Sequence, residues 1–313
     1  MANDFFNKMD MAARTLRTGI RWAKYNKMSP PPGAFTSEMG RLLWAAPQPL
    51  IDPDKKLLVV FSQKAACTNV LVWFFHHLGH AKAAREYHYW PHEYRNYVYY
   101  FSELYRKAYD LDFSTFRVIR IVRDPYDRAV SSFRHVVRFG LVDDTLVKTL
   151  RYRTIASKGM SFAEFLDLLD ETDLTNCNPH YSLQRHPIED ALPVHHLINV
   201  TTENLFARLN DVEADLGLER TDLANSSWIR RLRHHNRPGK ELAADGDLYE
   251  VRLTQDQARN GPWPDYGALL TPKARARIAK LYAVDIKAYL TSEPELPKAP
   301  VAPKPVEITS AAD

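Results

Sequence analysis

The sequence predicts an α/β domain built on a mostly parallel sheet covered by helices. Three observations predict it. Short apolar or β-branched runs recur at Leu57–Phe61, Phe116–Val122 and His196–Val200. Helical periodicity fills the intervals between them. The first two runs each lead through a short loop into a helix start, the βαβ pattern that sets neighbouring strands parallel. Size and composition agree: 313 residues, 45% hydrophobic and 26% charged, describe an ordinary soluble globular chain and exclude wholesale disorder. The longest apolar run, Val70 to Phe75, falls far short of the ~20 residues a membrane-spanning helix needs. Two cysteines cannot frame a disulfide scaffold or a structural zinc site, and no apolar leader follows Met1. A reducing, cytoplasmic setting is the expectation.

Residues 1–30 read as a basic amphipathic helix, with Phe5, Met9, Ala13, Leu16 and Ile20 on one face. Lys8, Arg14, Arg17, Arg21, Lys24 and Lys27 face only Asp4 and Asp10 there, which is the whole of the chain's +4. The rest of the chain is neutral, so nucleic acid is not an expected partner. The helix suits docking on its own domain or on a partner subunit in a homo-oligomer. A second use is peripheral contact of residues 1–27 with an anionic membrane surface.

Residues 31–56, which begin with Pro31 and Pro32 directly after Pro30, read as a linker with turns. The main domain is expected over residues 57–291. Leu57–Phe61 is a buried strand, and the helix from Asn69 to Leu78 stops at Gly79. In the strand Phe116–Val122, Arg117 and Arg120 point to an edge or a charged face. Asp124 caps the next helix, and Pro125 sits where its missing N–H costs nothing. That helix runs to about Arg138, before Gly140. Ser161 and Glu164 form a capping box. Leu205, Leu209, Val212 and Leu216 share a helix face, and Thr271-Pro272 opens a last helix to about Leu290. Residues 292–313, with five prolines, read as a disordered tail.

Two segments carry chemistry. The first is Gln63-Lys64-Ala65-Ala66-Cys67-Thr68-Asn69, between a strand and a helix. Free N–H groups at such a helix start bind an anion. Lys64 adds a charge, Thr68 a hydroxyl, and the small residues let a phosphate approach the backbone. The glycines of the ATP-binding loop are absent. The second is Arg123-Asp124-Pro125-Tyr126-Asp127-Arg128-Ala129-Val130-Ser131. Arg123 at a strand end and Ser131 two turns into the helix form a grip for a second anionic group.

Together these segments resemble the PAPS-dependent sulfotransferases, in particular the carbohydrate-modifying family 2. That family's first motif, P-K-x-x-C/G-T, stands here as Gln63 to Thr68, with Gln63 in place of proline. Its second, R-[DH]-P-[FY]-x-R-x-x-S, is matched in full. Asn178 to Gln184 resembles an H-W-x-x-Q region with Tyr181 replacing Trp. Ile198 to Leu205 resembles a strand with an E-N-L helix start, and Lys280 to Asp285 an L-Y-x-x-D helix.

The resemblance implies a P-loop-like sulfotransferase fold and transfer of a sulfuryl group from PAPS to a carbohydrate or glycolipid hydroxyl. Lys64, Ala65, Ala66, Cys67, Thr68 and Asn69 would hold the 5′-phosphosulfate, and Arg123 with Ser131 the 3′-phosphate. No metal is expected. Lys64 would stabilise charge on the leaving oxygen. His88 and His180 are the candidate bases. His92, Glu86 and Glu93 are further choices. The aromatic stretch from Tyr87 to Phe101 reads either as a sugar platform or as core. The basic cluster Arg230, Arg231, Arg233 to Lys240 reads as an anion contact or a solvated face. With no membrane anchor, the resemblance implies a bacterial cytoplasmic enzyme. A P-loop-type phosphotransferase and a non-catalytic nucleotide- or glycan-binding protein remain alternatives.

Overall fold

A computed structural model describes residues 37–139, 158–233, 248–260 and 263–290. The basic N-terminal helix, the cluster at 234–240 and the Pro-rich tail lie outside the described residues.

The sheet has four strands in the order β1 (Leu50–Asp52), β2 (Leu57–Phe61), β3 (Arg117–Val122) and β4 (His196–Asn199). β2, β3 and β4 are parallel, with Phe61 opposite Ile121 and Val122 opposite Asn199. Their carboxyl ends therefore share one edge, and the loops after them meet there. β1 pairs antiparallel with β2, Leu50 opposite Val59.

The stretch read as a linker thus holds structure. Besides β1 it contains α1 (Glu38–Trp44), capped by the Ser37 hydroxyl and buried at Leu42, Leu43 and Trp44. A three-residue strand leaves too little periodicity to be read. Tyr99 fixes β1 instead, donating to the Ile51 carbonyl at 2.9 Å and accepting from its N–H at 2.7 Å.

Two apolar cores flank the cleft elements. The first gathers β1 and β2, which are wholly buried, with α2 (Cys67–His77) and parts of α3 (Ala81–Tyr87) and α4 (Pro91–Tyr97). The second gathers α5 (Pro125–Phe139), α6 (Phe162–Asp170), α8 (Pro272–Leu281) and Tyr181. Here α7 is Leu205–Asp215 and α9 is Ala283–Tyr289. Local signals set the helix ends. Gly79 and Gly217 take left-handed φ of 77° and 64° after α2 and α7, and the Ser161–Glu164 capping box starts α6. Asp124 accepts from the N–H groups of Tyr126 and Asp127 at the start of α5. The expected last helix is broken at Tyr282, whose hydroxyl is anchored on the Tyr181 carbonyl at 2.7 Å.

β3 is an inner strand, which corrects the edge reading. Arg117 is exposed at its start, but Arg120 is fully buried. Arg120 is stable there because Glu189 lies 2.8 Å from its Nε, with the Ser62 hydroxyl at 2.9 Å from its Nη2. A buried guanidinium is held in place by such acceptors, charged or neutral. Alternation of charge in a strand therefore does not by itself mark an edge.

Candidate active site

The loops after β2 and β3 close around a cleft of about 730 Å³. From the first loop it is lined by Gln63, Lys64, Ala66, Cys67, Thr68 and Asn69. Lys64 and Ala66 both hold left-handed backbone, φ 69° and 56°. That conformation costs a non-glycine residue roughly 1–2 kcal/mol, and such strain collects where backbone N–H groups must point at a ligand. The loop is braced around the strain. The Gln63 carboxamide accepts from the Cys67 thiol at 3.1 Å, and buried Arg128 donates to the Gln63 carbonyl at 3.0 Å. Gln63, the departure from the proline of the resembled motif, is thus a brace of its own kind.

Lys64 carries the loop's charge. Burial first, then the nearby Arg123, Arg128 and Arg138 guanidinium groups, push its ammonium down to about 8. It is mostly protonated at neutral pH.

The structure brings Arg123 and Ser131, the expected second pair, to the same cleft. Arg123 donates to the Lys64 carbonyl and to the Tyr266 hydroxyl, both at 3.3 Å. Its nearest carboxylate, Asp127, is 3.9 Å away, too far for a close ion pair. Ser131 lines the same cleft. A neighbouring side chain fixes the Arg123 backbone. The Gln184 carboxamide accepts from the Arg123 N–H at 3.0 Å and donates to its carbonyl at 2.8 Å. The Gln184 and Arg185 N–H groups in turn donate to the buried Asp285 carboxylate at 2.8–2.9 Å. The two peripheral motifs, around Gln184 and Asp285, are therefore one support beneath Arg123.

The histidines separate. His88 lies outside the cleft, at the end of α3, where its Nδ1 accepts from the Trp90 N–H at 3.1 Å. This corrects the expectation that it sits among the reacting groups: the α3–α4 turn carries it away. His92 does line the cleft, but its Nε2 is engaged with the Thr68 hydroxyl at 3.0 Å. His180 lines the cleft beside Lys64. Its backbone N–H donates to Asn178 Oδ1 at 3.0 Å, which identifies that atom as an oxygen. His180 Nδ1, 2.8 Å from the same oxygen, must therefore carry the proton. Nε2 is left as the basic nitrogen. Burial, then Lys64, Arg128 and Arg95, push His180 down to about 3, so it is neutral at pH 7.

Sequence reading missed His135, Arg134, Arg138, Arg95, Trp263 and Tyr266, all of which line the cleft. The His135 ring stacks on His180 at 4.0 Å. The α5 residues had a readable signal: Ser131, Arg134, His135 and Arg138 recur at helical spacing on one face. Arg134 lies 4.4 Å over the Tyr266 ring and Arg123 5.5 Å from it, which builds a cation–aromatic wall. Arg230 and Arg231 are exposed and do not line the cleft. Of the aromatic stretch, Tyr94, Tyr99 and Tyr100 are core, Trp90 lines the cleft, and Tyr87, Tyr89, Tyr97 and Phe101 are exposed.

The cleft is thus a cavity rich in cationic side chains at the carboxyl ends of parallel strands. A model of the sulfotransferase family, of its second type, matches residues 47–290. The chain belongs to the sulfotransferase family. No curated protein and no solved structure shows significant similarity to it. The matched span includes β1, which lies outside the domain expected from sequence. A sulfotransferase needs a sulfuryl donor and an acceptor in one cavity, and in this sulfotransferase the residues of both expected motifs line the same one. Among the described residues no group of three His, Cys, Asp or Glu side chains is arranged to hold a metal, and no helix is long and apolar enough to cross a membrane.

Proposed function

We propose that the protein transfers a sulfuryl group from PAPS to a hydroxyl of a saccharide or glycolipid-like acceptor. The observation that carries this reading is the pair of anion grips on one cleft: Lys64 with the strained loop and first turn of α2, and Arg123 with Ser131. The residues present fit such a donor, since the half-buried Lys64 ammonium lines the cleft and pairs with no carboxylate among the described residues.

In this reading the phosphate–sulfur bond breaks as the acceptor oxygen bonds to sulfur. The electron pair stays on the departing phosphate oxygen, and the acceptor proton leaves to a base. Lys64 and the N–H groups of Ala66, Cys67 and Thr68 meet the growing negative charge, which lowers the barrier because the charge is largest in the transition state; those of Ala65 and Asn69 are spent on the Ser62 and Ala66 carbonyls. His180 Nε2 takes the proton, its tautomer fixed by Asn178. Burial, with the Lys64, Arg128 and Arg95 cations, holds the free group at about 3, and the donor's negative charge offsets those cations and raises its basicity. Trp90, stacked on His92 at 5.2 Å, supplies an apolar face for a sugar ring on the acceptor side.

The test is calorimetric titration with PAP and with ATP plus magnesium. PAP binds selectively in this reading, and Arg123→Ala weakens it at least tenfold, the ~1.5–3 kcal/mol of a hydrogen bond to a charged group. Preference for ATP plus magnesium would sink it in favour of a phosphotransferase. PAP binding without turnover of labelled PAPS on any acceptor would favour the non-catalytic alternative.

A further inference from the structure

The Thr68 hydroxyl has one proton and two claims on it. Thr68 lines the cleft in the first turn of α2 and belongs to the segment read as holding the donor's 5′-phosphate. Its Oγ1 also lies 3.0 Å from His92 Nε2 on α4, and no other side chain engages it among the described residues. If Thr68 donates to His92, the hydroxyl turns lone pairs to the cleft and repels an anion. If His92 donates instead, the hydroxyl proton is free to point into the cleft.

The surroundings of Nε2 choose between the two. Cys67 Sγ lies 3.8 Å from the same nitrogen. The thiol proton is already spent on Gln63 Oε1 at 3.1 Å. Toward His92 the sulfur can therefore only accept. A proton on Nε2 faces two acceptors, the sulfur and the Thr68 oxygen, whereas a bare Nε2 sets its lone pair against the sulfur's.

The ring is held where that proton is useful. The Trp90 ring stacks on it with centroids 5.2 Å apart and planes at 21°. Tyr94, further along α4, packs its ring against Phe75 of α2 at 5.2 Å, which fixes α4 against the helix that carries Thr68. Burial first, then Arg95, His180 and Lys64, hold His92 well below the usual histidine range. The ring is therefore neutral at pH 7, and the position of its one proton is a choice of tautomer.

We propose that His92 is a positioning residue for the donor: its Nε2–H donates to Thr68 Oγ1 and turns the Thr68 proton toward the 5′-phosphate. In this role His92 takes no proton from the acceptor. The proposal rests on the nucleotide reading above and deepens it by naming what orients one of its hydroxyls.

The test titrates the full chain with PAP by calorimetry, with no acceptor present. His92→Leu, which keeps bulk but removes the N–H, is expected to weaken PAP about tenfold, the scale of one hydrogen bond. Thr68→Val is expected to lose as much. The double variant loses no more than either alone, because both changes remove one hydrogen bond. His92→Gln, whose amide can donate from a similar place, stays close to the wild type. Nitrogen NMR of the PAP complex, with the His92 signals identified by their absence in His92→Gln, is expected to show a protonated, pyrrole-type Nε2. The opposite donor direction predicts the opposite sign: His92→Leu then frees the hydroxyl, and PAP affinity holds or rises. That result overturns the proposal. So do additive losses in the double variant, a His92→Gln as weak as His92→Leu, or a pyridine-type Nε2 in the complex. Should His92→Leu fail to fold, the nitrogen spectrum and His92→Gln still decide. Failure of the wild type to bind PAP is scored first. It removes the nucleotide reading itself, and this proposal with it.

Discussion

At Lys64, three effects act on one ammonium: burial, neighbouring cations and the left-handed backbone that aims its loop. The first two push its pKa down, to about 8. A bound phosphate pushes it back up, so binding takes up protons in the window from about pH 8 upward. PAP affinity is therefore expected to fall as pH rises through 8. Calorimetry at pH 8.5 in buffers of different ionisation enthalpy should register net proton uptake, and Lys64→Met should abolish both effects. A pH-independent affinity in the wild type would assign the phosphate to other groups. His180 gives a second test at this scale. General-base removal typically costs 10²–10⁴-fold in rate. His180→Ala is expected to lose kcat on that scale with PAP affinity unchanged. His88→Ala, outside the cleft, should leave kcat as it was. If Glu93→Gln rather than His180→Ala loses the rate, the carboxylate is the base.

Elements place these residues, and the lower support can be tested by substitution. Arg123 is held by the two-bond Gln184 clamp, and the clamp by Asp285 of α9. Gln184→Glu keeps the acceptor for the Arg123 N–H but sets a second carboxylate oxygen against the Arg123 carbonyl. PAP affinity should drop about tenfold, ~1.4 kcal/mol, through a residue that never touches the ligand. Unchanged affinity would mean that the clamp is idle. What was legible in the sequence follows from the same division. β2, β3, β4, the caps and both motifs were readable because period, Asp124-Pro125 and the Ser161–Glu164 box act over a few residues. Arg95 and Tyr266 were not, because only the packing of α4 and the 263–269 segment brings them to the cleft. β1 was hidden by its length. The burial of Arg120 was hidden because its partner, Glu189, is distant in sequence. His88 was misplaced for a related reason, since the turn between α3 and α4 decides which histidine enters.

On the scale of the whole molecule, the cleft lies between two cores. The loop after β2 and α2 belong to the first, and α5, which carries Ser131, to the second. Arg128 ties them together by donating to the Gln63 carbonyl from one side and to the Ser182 and Pro179 carbonyls on the other. A ligand gripped by both Lys64 and Ser131 therefore stabilises the contact between cores as well as each core. Binding to the native state alone contributes ~2.7 kcal/mol at a hundred times Kd. For a domain of this size that corresponds to a rise in Tm of about 5–10 °C. PAP at that excess should produce such a rise as a shift of one cooperative transition. Inorganic sulfate, which can occupy one grip but cannot span both, should produce a much smaller one. At the same PAP concentration, Arg123→Ala should lose most of the shift while its ligand-free Tm changes little. If calorimetric scanning instead resolves two transitions and PAP moves only one, the cores unfold independently and the ligand is held by a single grip.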